Sequence, residues 1–426
     1  MSESIAQPSK PQKIQPVRGT HDWLGQDALA YDQLIQKATH VTQRYGYTPL
    51  QTPIFEHTSV FQKTLGEASD IVGKEMYTFM DKGGDTMTLR PEGTAPLVRA
   101  FISNGLTQDL PFKAFYHGPM FRYERPQAGR LRQFHQFGAE CLGIDHPHSD
   151  VEMLHMAWSL FKELNIIDKI TLEINTLGDV DSRKNYRNAL VHYLSRYEQD
   201  LSEDSKRRLL TNPMRILDSK DKNDQKICEN APPLFDYLSD SSRIYFDHVL
   251  AMLEHLHIPY TKNPRLVRGL DYYNHTAFEF TTTSLGAQGT VLAGGRYNGL
   301  AKSMGGPDIP GIGLAFGMER MLSLWQPSLE NPWIISVIAL SETFENDAFI
   351  LSQKLRSHGF CVDQLHTGNA GKKLKRANKI QSSFAILLGE EEMKKGHYIL
   401  RHFKDGHQEL ISQTDVINTL KSISKT

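Results

Sequence analysis

A stretch rich in arginine, carboxylate and aromatic residues, positions 121–140, has the composition of a polyanion-binding site. Four arginines and two carboxylates lie close together in it: Arg122, Glu124, Arg125, Arg130, Arg132 and Glu140. A planar guanidinium binds phosphate oxygens through two parallel hydrogen bonds, and the flat ring of Phe134 could stack on a purine base. These residue types indicate a nucleotide ligand. An edge hairpin with solvated arginines is the alternative that composition alone leaves open.

The same stretch predicts a hairpin that would position these side chains. Its two ends alternate large and polar residues, which is typical of two antiparallel strands. Pro126 and Gly129 interrupt the middle, so we expect a long basic loop between the strands. Because alternate residues of a strand share a face, Gln136 and Glu140 should point to the same side of the sheet.

A second candidate is the tripeptide Glu92-Gly93-Thr94, which follows a predicted hairpin over residues 75–91. Pro91 fixes the chain and Gly93 lacks a side chain, so Glu92 and Thr94 could face a ligand from a rigid turn. The residues could equally begin a helix, with Glu92 near its positive N-terminal end. The two interpretations are compatible.

A third candidate combines hydrogen-bonding side chains with glycine in one short run, Arg265-Leu266-Val267-Arg268-Gly269-Leu270-Asp271-Tyr272-Tyr273. Glycine lets another molecule approach the backbone closely. Further glycines lie in 293–300 and 311–320, but their spacing is not that of a dinucleotide fingerprint, and the sequence has no Gly-x-x-x-x-Gly-Lys-Ser/Thr phosphate loop. We therefore interpret them as clearing space beneath a base.

A histidine-rich turn is a weak candidate for a metal site. It contains Asp145, His146, His148, Asp150, Glu152 and His155. A solvated helix cap at Ser149 or Asp150, before a helix over 151–164, accounts for the same residues. We assign no metal ligand.

Composition limits the class of protein. The chain has 426 residues, enough for two or three domains, and its 48 Lys plus Arg nearly balance 49 Asp plus Glu. A nucleic-acid site must therefore be a local patch. The three cysteines are widely spaced, which argues against a disulfide framework and a cysteine zinc site. The polar N-terminus lacks a signal-peptide core and the run 333–340 is too short to span a bilayer, so we expect a cytoplasmic protein with no membrane partner.

The C-terminal part predicts a small domain with a basic patch. Strands and helices alternate from 333 to 388, as in an α/β domain. The patch lies on the second helix of this part, and it is either a nucleic-acid site or a solvated face: Lys372, Lys373, Lys375, Arg376 and Lys379.

Three motifs resemble those of class II aminoacyl-tRNA synthetases. Phe121–Arg125 with Arg132–Phe137 resembles the second motif, and Gly317-Met318-Glu319-Arg320 resembles the third. The extended segment 47–56, with Pro53, loosely resembles the first. Gln133-Phe134-His135-Gln136 and the run 265–273 resemble the histidyl branch in particular.

The resemblance implies an α+β fold, with a class II antiparallel-sheet catalytic domain that carries a helical insertion and a small C-terminal α/β anticodon-binding domain. The expected boundaries are a mobile tail at 1–15, a catalytic core at 16–178 and 255–326, a helical insertion at 179–254, a linker at 327–332 and the anticodon-binding domain at 333–426. It further implies a homodimer, L-histidine, ATP with Mg²⁺, and tRNA(His) as partners.

The resemblance also implies roles for single residues. Catalysis would rest on Arg122 and Arg268. Histidine would be bound by Glu92, Gly93, Thr94, Tyr116, Gln136, Glu140, Tyr272 and Tyr273. ATP would be bound by Arg122, Glu124, Arg130, Phe134 and Arg320. The tRNA would be bound by Gln127, Arg132, Lys372, Lys373, Lys375 and Arg376.

Two alternatives are compatible with parts of this pattern. A regulatory, catalytically dead relative would retain the fold, but such proteins usually lose the motif arginines and the C-terminal domain, and this chain has both. A class II synthetase for another amino acid would lack the run 266–273.

Overall fold

The computed structural model describes residues 13–65, 71–125, 130–286, 289–327 and 333–423. The chain divides into two compact units, Met1–Pro327 and Ser328–Thr426. Most of the expected tail and linker lies outside the described residues. The boundaries inside the first unit, at 15, 178 and 254, stay predictions.

The first unit contains two sheets and the helices that cover them. Its strands are β1 (Thr48–Pro49), β2 (Phe55–His57), β3 (Tyr77–Met80), β4 (Thr86–Leu89), β5 (Phe112–Phe121), β6 (Gln133–Leu142), β7 (Thr171–Thr176), β8 (Thr261–Lys262), β9 (Asn274–Thr281), β10 (Thr290–Arg296) and β11 (Gly311–Gly317). Its helices are α1 (Gln26–Arg44), α2 (Ser59–Leu65), α3 (Thr94–Ser103), α4 (Pro147–Glu163), α5 (Val180–Leu194), α6 (Glu203–Thr211), α7 (Lys222–Glu229), α8 (Asp240–His255), α9 (Leu300–Ser303) and α10 (Met318–Leu324).

The larger sheet is antiparallel except at its two edges. Among the described residues its strand order is β1-β5-β6-β11-β10-β9-β7-β8, and only the edge pairs β1–β5 and β7–β8 are parallel. The predicted hairpin is confirmed as the antiparallel pair β5–β6, although β5 ends at Phe121, so the arginines from Arg122 onward lie beyond the strand. Strand β1 stands at the edge, as the prolines of its segment predicted.

One face of this sheet is apolar and the other carries the polar residues. Phe115, Phe137 and Phe316, from three adjacent strands, stack with 5.4 Å between successive ring centroids. All three are buried against helices α1, α4, α8 and α10. Burying a side chain of this size contributes about 1.5–3 kcal/mol, so the sheet is a stable platform. Strand alternation then turns Tyr116 and Gln136 toward the opposite face.

The residues of the expected helical insertion, 179–254, include several helices and lie within the first compact unit. Helices α5, α6 and α8 begin at the side-chain caps Asp179, Ser202 and Ser239, which accept hydrogen bonds from backbone N–H groups. Phe246 and Leu253 of α8 pack into the apolar core that contains the three stacked phenylalanines. Helices α5 and α6 share a second apolar cluster with Tyr116 and Tyr273. The helical stretch therefore forms part of the first unit.

The second unit is a five-stranded mixed sheet with helices. Its elements are β12 (Ile334–Ala339), α11 (Glu345–Ser357), β13 (Cys361–Asp363), α12 (Ala370–Lys379), β14 (Phe384–Leu388), α13 (Glu390–Lys394), β15 (His397–His402), β16 (Gln408–Ser412) and α14 (Val416–Ile423). The described strands follow the order β13-β12-β14-β15-β16, parallel up to β14 and antiparallel beyond it. The predicted alternation holds up to β14; the C-terminal strands β15 and β16 were not predicted.

Within the described ranges of both units, no helix combines the length and apolar character that crossing a membrane requires.

Candidate active site

A cavity of about 590 Å³ lies on the polar face of the large sheet. Its wall is built mainly from strands β5, β6, β9, β10 and β11, the described ends of the loop between β5 and β6, the start of α3, the loop 265–273 and the start of α10. These elements bring together most of the residues singled out from the sequence: Glu92, Thr94, Tyr116, Arg122, Glu124, Arg130, Phe134, Gln136, Arg268, Tyr272, Tyr273 and Arg320.

Glu140 lies buried below the cavity wall and its carboxylate accepts three hydroxyl hydrogen bonds. Oε1 accepts from Thr94 at 2.7 Å and from Tyr116 at 3.4 Å, and Oε2 accepts from Tyr297 at 2.6 Å. Burial raises the pKa of both tyrosines well above the usual value, so they remain protonated donors. Tyr297 was missed as a site residue, although it lies in the glycine-rich run 293–300.

Glycines make room for this network. Gly313 lies directly opposite Glu140 in the β6–β11 pair, and a Cβ there would come within 1.6 Å of the Glu140 carboxylate. A Cβ on Gly93 or on Gly138 would come within 2.4 Å of the Tyr116 ring. Side chains at these positions would displace the groups that define this end of the cavity, so the glycines are a steric requirement.

Burial raises the pKa of the Glu140 carboxyl to about 8, although the hydrogen bonds from Tyr297 and Thr94 oppose the shift. Desolvation disfavours the charged carboxylate, and nearby Glu92 adds a like charge. Glu140 is thus a buried acid that ionises close to neutral pH, which is typical of a functional site.

Glu92 satisfies both sequence interpretations at once. Its carboxylate accepts hydrogen bonds from the backbone N–H groups of Thr94 and Ala95, at 2.7 and 2.8 Å, and so caps helix α3. The same side chain lines the cavity. Burial raises its pKa, while the two backbone donors and Arg122 act in the opposite direction.

The other end of the cavity is cationic. The Arg122 guanidinium lies 5.1 Å from the Phe134 ring centroid and its Nε donates to the Pro91 carbonyl at 2.9 Å. Arg320 donates to the Thr290 carbonyl at 2.9 Å. Burial lowers the Arg320 pKa, and the positive charges of Arg130 and Arg122 lower it further. The carboxylates of Glu124 and Glu279 act in the opposite direction, so the arginine cluster is only partly compensated by the protein's own charges.

Arg268 pairs with a residue that sequence reasoning did not identify. Its guanidinium donates to Glu279 of β9, and Glu279 also accepts from the Thr290 hydroxyl at 2.7 Å. Arg268 Nε is buried with no hydrogen-bond partner among the described residues, as is Oε1 of Gln136. Both side chains line the cavity, so each retains hydrogen-bonding capacity for a ligand there.

Glu319 connects the two best-matched motifs. Its carboxylate accepts from the His135 backbone N–H at 3.0 Å and lies 2.9 Å from the His135 ring Nδ1. The start of α10, and with it Arg320, is thereby held against β6. The sequence contained Glu319 in the third motif but gave no sign of this partner.

Side chains of the histidine-rich turn make contacts that connect different elements of the fold. Asp150 pairs with the fully buried Arg296, Glu152 pairs with Lys113, and the His155 ring contacts the Tyr45 hydroxyl at 2.6 Å. No group of three or more candidate ligands that could hold a metal exists in the described part of the chain.

The residues expected to bind tRNA occupy different environments. Arg132 stacks on the exposed ring of Tyr123 at 4.1 Å, outside the cavity, and Gln127 lies outside the described residues. On α12, Lys372 and Lys375 are exposed, and Arg376 pairs with Asp363 at 2.9 Å while remaining exposed.

Lys373 requires a correction. The structure buries its side chain, with 3% exposed, and pairs its ammonium group with Glu345. Helical periodicity turns this position toward the sheet together with Ala377, so it belongs to the interior of the unit rather than to an exposed basic face.

The fold and the cavity define a class II aminoacyl-tRNA synthetase. Residues 19–321 match the family model described as histidyl-tRNA synthetase, and residues 335–423 match one described as anticodon binding domain. The chain is 50% identical to histidine–tRNA ligase of Rhodospirillum rubrum, and the match covers 93% of this chain and 96% of that protein. It is 48% identical to histidine–tRNA ligase of Gluconobacter oxydans, and that match covers 96% of this chain and 99% of that protein. The crystal structure of apo S. aureus histidyl-tRNA synthetase superposes with a TM-score of 0.81 at 33% identity, covering 96% of this chain and 99% of that one.

The chain therefore belongs to the histidyl-tRNA synthetase family, and it ligates L-histidine to tRNA in an ATP-dependent reaction. Membership in this family excludes the alternative of a class II synthetase for another amino acid. Arg122 and Arg320, motif arginines of the kind that a catalytically dead relative would usually lose, both line the cavity.

Proposed function

We propose that this cavity holds histidine and ATP side by side, with the imidazole at the Glu140 end and the triphosphate at the arginine end. The observation that carries the proposal is the polarity of one continuous cavity: Arg122, Arg130 and Arg320 line one part, and the Thr94–Tyr116–Glu140 network borders another. The histidine carboxylate would then meet the α-phosphate between them.

In the proposed activation step a histidine carboxylate oxygen forms a bond to the α-phosphorus, and the bond from that phosphorus to diphosphate breaks. Charge on the phosphoryl oxygens must be stabilised while the reactants are held in line. Arg122 and Arg268 would bind the α-phosphate and the amino-acid carboxylate, and Arg320 would bind the γ-phosphate. Glu124, with Phe134, would hold the adenine, and Arg130, which pairs with Glu124 at 3.3 Å, would contact the phosphates.

The amino acid would bind at the opposite end of the cavity. Glu92, Thr94 and Gln136 would bind the head group, because a carboxylate and two uncharged oxygens can accept from an ammonium group. Glu140, Tyr116, Tyr272 and Tyr273 would surround the imidazole, with Gly93 leaving room for Tyr116. A carboxylate and a phenol can pair with both ring nitrogens, which an apolar pocket cannot do.

Mg²⁺ fits the chemistry of this cavity as a partner of ATP. Hard divalent cations take oxygen ligands, and the cavity wall presents the carboxylate of Glu279 beside the arginines that we propose for phosphate binding. We propose that this carboxylate and the phosphates hold the ion. Bound there, Mg²⁺ would neutralise phosphate charge.

The test of the proposed function is ATP–diphosphate exchange by the full chain with a panel of the twenty amino acids, followed by charging of tRNA(His). We expect exchange only with histidine, dependent on Mg²⁺, and charging of tRNA(His) over other tRNAs. Exchange with a different amino acid, or charging without histidine-dependent exchange, would contradict the proposal.

We propose that α12 contacts tRNA(His) through Lys372, Lys375 and Arg376, with Arg132 contributing near the active site. The double substitution Lys372→Glu and Lys375→Glu should raise the KM for tRNA about tenfold or more, because two phosphate-binding charges are reversed. Histidine-dependent exchange, which needs no tRNA, should stay unchanged. Both quantities come from steady-state kinetics at fixed salt.

The matched control reverses two lysines elsewhere in the same unit, Lys394 and Lys395, which pair with glutamates on their own helix. If the KM for tRNA rose equally in both double variants, the effect of the α12 substitutions would come from the net charge of the unit and not from contacts of α12 with tRNA. An unchanged KM for the α12 variant would make that basic face a solvated surface.

We also propose that the protein is a cytoplasmic homodimer. Four large apolar side chains on the small β2–β4–β3 sheet or directly before it are 43–72% exposed: Ile54, which precedes β2, and Phe55, Phe79 and Met80 on the strands. The segment that resembles the first class II motif runs into β2. Such an exposed apolar patch is typical of an interface. Sedimentation equilibrium should give twice the chain mass for the native protein and a lower mass for the double variant Phe79→Ser with Met80→Ser. A native protein that sediments as a monomer would exclude the dimer. Cell fractionation would test the proposed cytoplasmic location.

A further inference from the structure

The loop between Leu266 and Asn274 carries three of the proposed site residues, Arg268, Tyr272 and Tyr273, outside any strand or helix. Its geometry must therefore be held by side chains from other elements. Arg268 cannot do this alone, because its guanidinium is the group that the proposed reaction uses. Asp271, which lies between Arg268 and Tyr273, is a point where side chains of the helical stretch hold the loop.

Two contacts from the helical stretch converge on Asp271. The Asn212 side-chain amide donates to the Asp271 carboxylate at 2.7 Å, and the Arg183 guanidinium donates to the Asp271 backbone carbonyl at 3.3 Å. Asn212 ends helix α6, and its backbone N–H donates to the Arg208 carbonyl at 2.8 Å. Pro213 follows it and begins a short 3-10 turn. The donor is therefore held in a fixed position.

Apolar packing reinforces the same connection. Leu209 and Ile216, on either side of Asn212, are buried in one cluster with Val267 and Tyr273 of the loop. Burial raises the pKa of Asp271, and the hydrogen bond from Asn212 acts in the opposite direction by stabilising the carboxylate. A partly desolvated carboxylate with a fixed amide donor specifies one orientation of the loop.

We propose that Asn212 is a positioning residue for amino-acid activation: by holding Asp271, it fixes the loop that presents Arg268 and Tyr273 to the reactants. The helical stretch then takes part in the first, tRNA-independent step. This inference rests on the proposed roles of Arg268 and Tyr273. ATP is bound mainly from other elements, by Arg122, Arg130 and Arg320, so a misplaced loop affects the chemical step more than ATP binding.

The test uses histidine-dependent ATP–diphosphate exchange by the full chain. Asn212→Ala should lower kcat about tenfold or more with the KM for ATP within about twofold, since a hydrogen bond to a charged group is removed. Asn212→Asp should lose more, because it places a second carboxylate against Asp271. The reciprocal pair Asn212→Asp with Asp271→Asn restores one amide and one carboxylate at the same positions, and it should return kcat to within about threefold of the native value.

The control is Asn188→Ala, an exposed asparagine on α5, which should exchange like the native protein. Thermal unfolding of each variant separates misfolding from mispositioning. A folded Asn212→Ala with native kinetics would overturn the inference, and so would a reciprocal pair that regains native stability without regaining kcat. Absence of exchange in the native protein would instead contradict the proposed function.

Discussion

Replacing Arg268 by alanine should lower the rate of histidyl-adenylate formation about 10²–10³-fold, the usual cost of removing one preorganised charge donor from a transition state. Arg268 lines the cavity, is held by Glu279, and has a buried Nε that lacks a hydrogen-bond partner in the described chain. The guanidinium is thus already oriented before substrates bind. Single-turnover measurements with saturating ATP and histidine would give the rate of the chemical step directly.

Two comparisons make this prediction specific. Arg44→Ala removes the same side chain from α1, where it is 48% exposed, and should leave the rate unchanged. Arg268→Lys retains the charge but loses the planar donor pair, so it should recover only part of the rate. An Arg268→Ala variant that forms adenylate at the native rate would exclude Arg268 from the catalytic step.

Strand periodicity explains why much of the site could be predicted from the sequence. Gln136 and Glu140 share a face of β6 because alternate residues do so in any strand, and the paired strand β11 places Gly313 opposite Glu140. The helix-start interpretation of Glu92 followed equally from local chemistry, since a carboxylate near the first N–H groups of a helix is a common cap.

Long-range pairing explains what could not be predicted. Arg296 and Asp150 are 146 positions apart in the chain, and nothing local to either residue indicates the other. The same holds for Glu319 and His135, which are 184 positions apart. Nothing in the sequence near Glu279 of β9 indicates that it pairs with Arg268, as it does in the fold. Only the tertiary structure supplies such partners.

Lys373 shows a limit of a different kind. Its lysine-rich helix predicted a uniformly basic face, but a helix that covers a sheet must bury one side of its surface. Position 373 falls on that side with Ala377, and the carboxylate of Glu345 compensates its charge. Composition alone does not distinguish a buried paired lysine from an exposed one.

Glu140 should also make the stability of the ligand-free protein depend on pH. Its pKa is raised to about 8 in the folded state by burial, whereas an unfolded glutamate ionises near pH 4.5. Between these values the folded protein retains a proton that the unfolded chain releases, so the contribution of this group to stability is present at low pH and is lost as pH rises toward 8. Unfolding in urea across this range should show a smaller loss for Glu140→Gln, because glutamine cannot ionise.

The same substitution should lower kcat/KM for histidine about 10²–10³-fold while the KM for ATP changes little. Glutamine retains the shape of the side chain, but its amide can present a donor where the imidazole N–H needs an acceptor, and a buried unmatched pair is costly. Thr94 and Tyr116 donate to one oxygen of Glu140 and Tyr297 donates to the other, so glutamine can keep an acceptor for only one of these two sets and presents its NH2 group to the other. Because the proposed ATP site is at the arginine end of the cavity, the KM for ATP should change little.

The pH profile distinguishes this role from a purely structural one. If the ionised carboxylate accepts from the imidazole, kcat/KM for histidine in the native enzyme should rise with pH through an inflection near 8 and level off above it, because this ratio reports ionisations of the free enzyme. Glu140→Gln should lose that inflection, whereas Glu152→Gln, a carboxylate paired with Lys113 away from the cavity, should retain it. Native values of kcat and KM for histidine in Glu140→Gln would remove Glu140 from the recognition of the substrate. If Glu140→Gln lowered kcat/KM for histidine but kept the inflection, the role of Glu140 would be to hold Thr94, Tyr116 and Tyr297 in place.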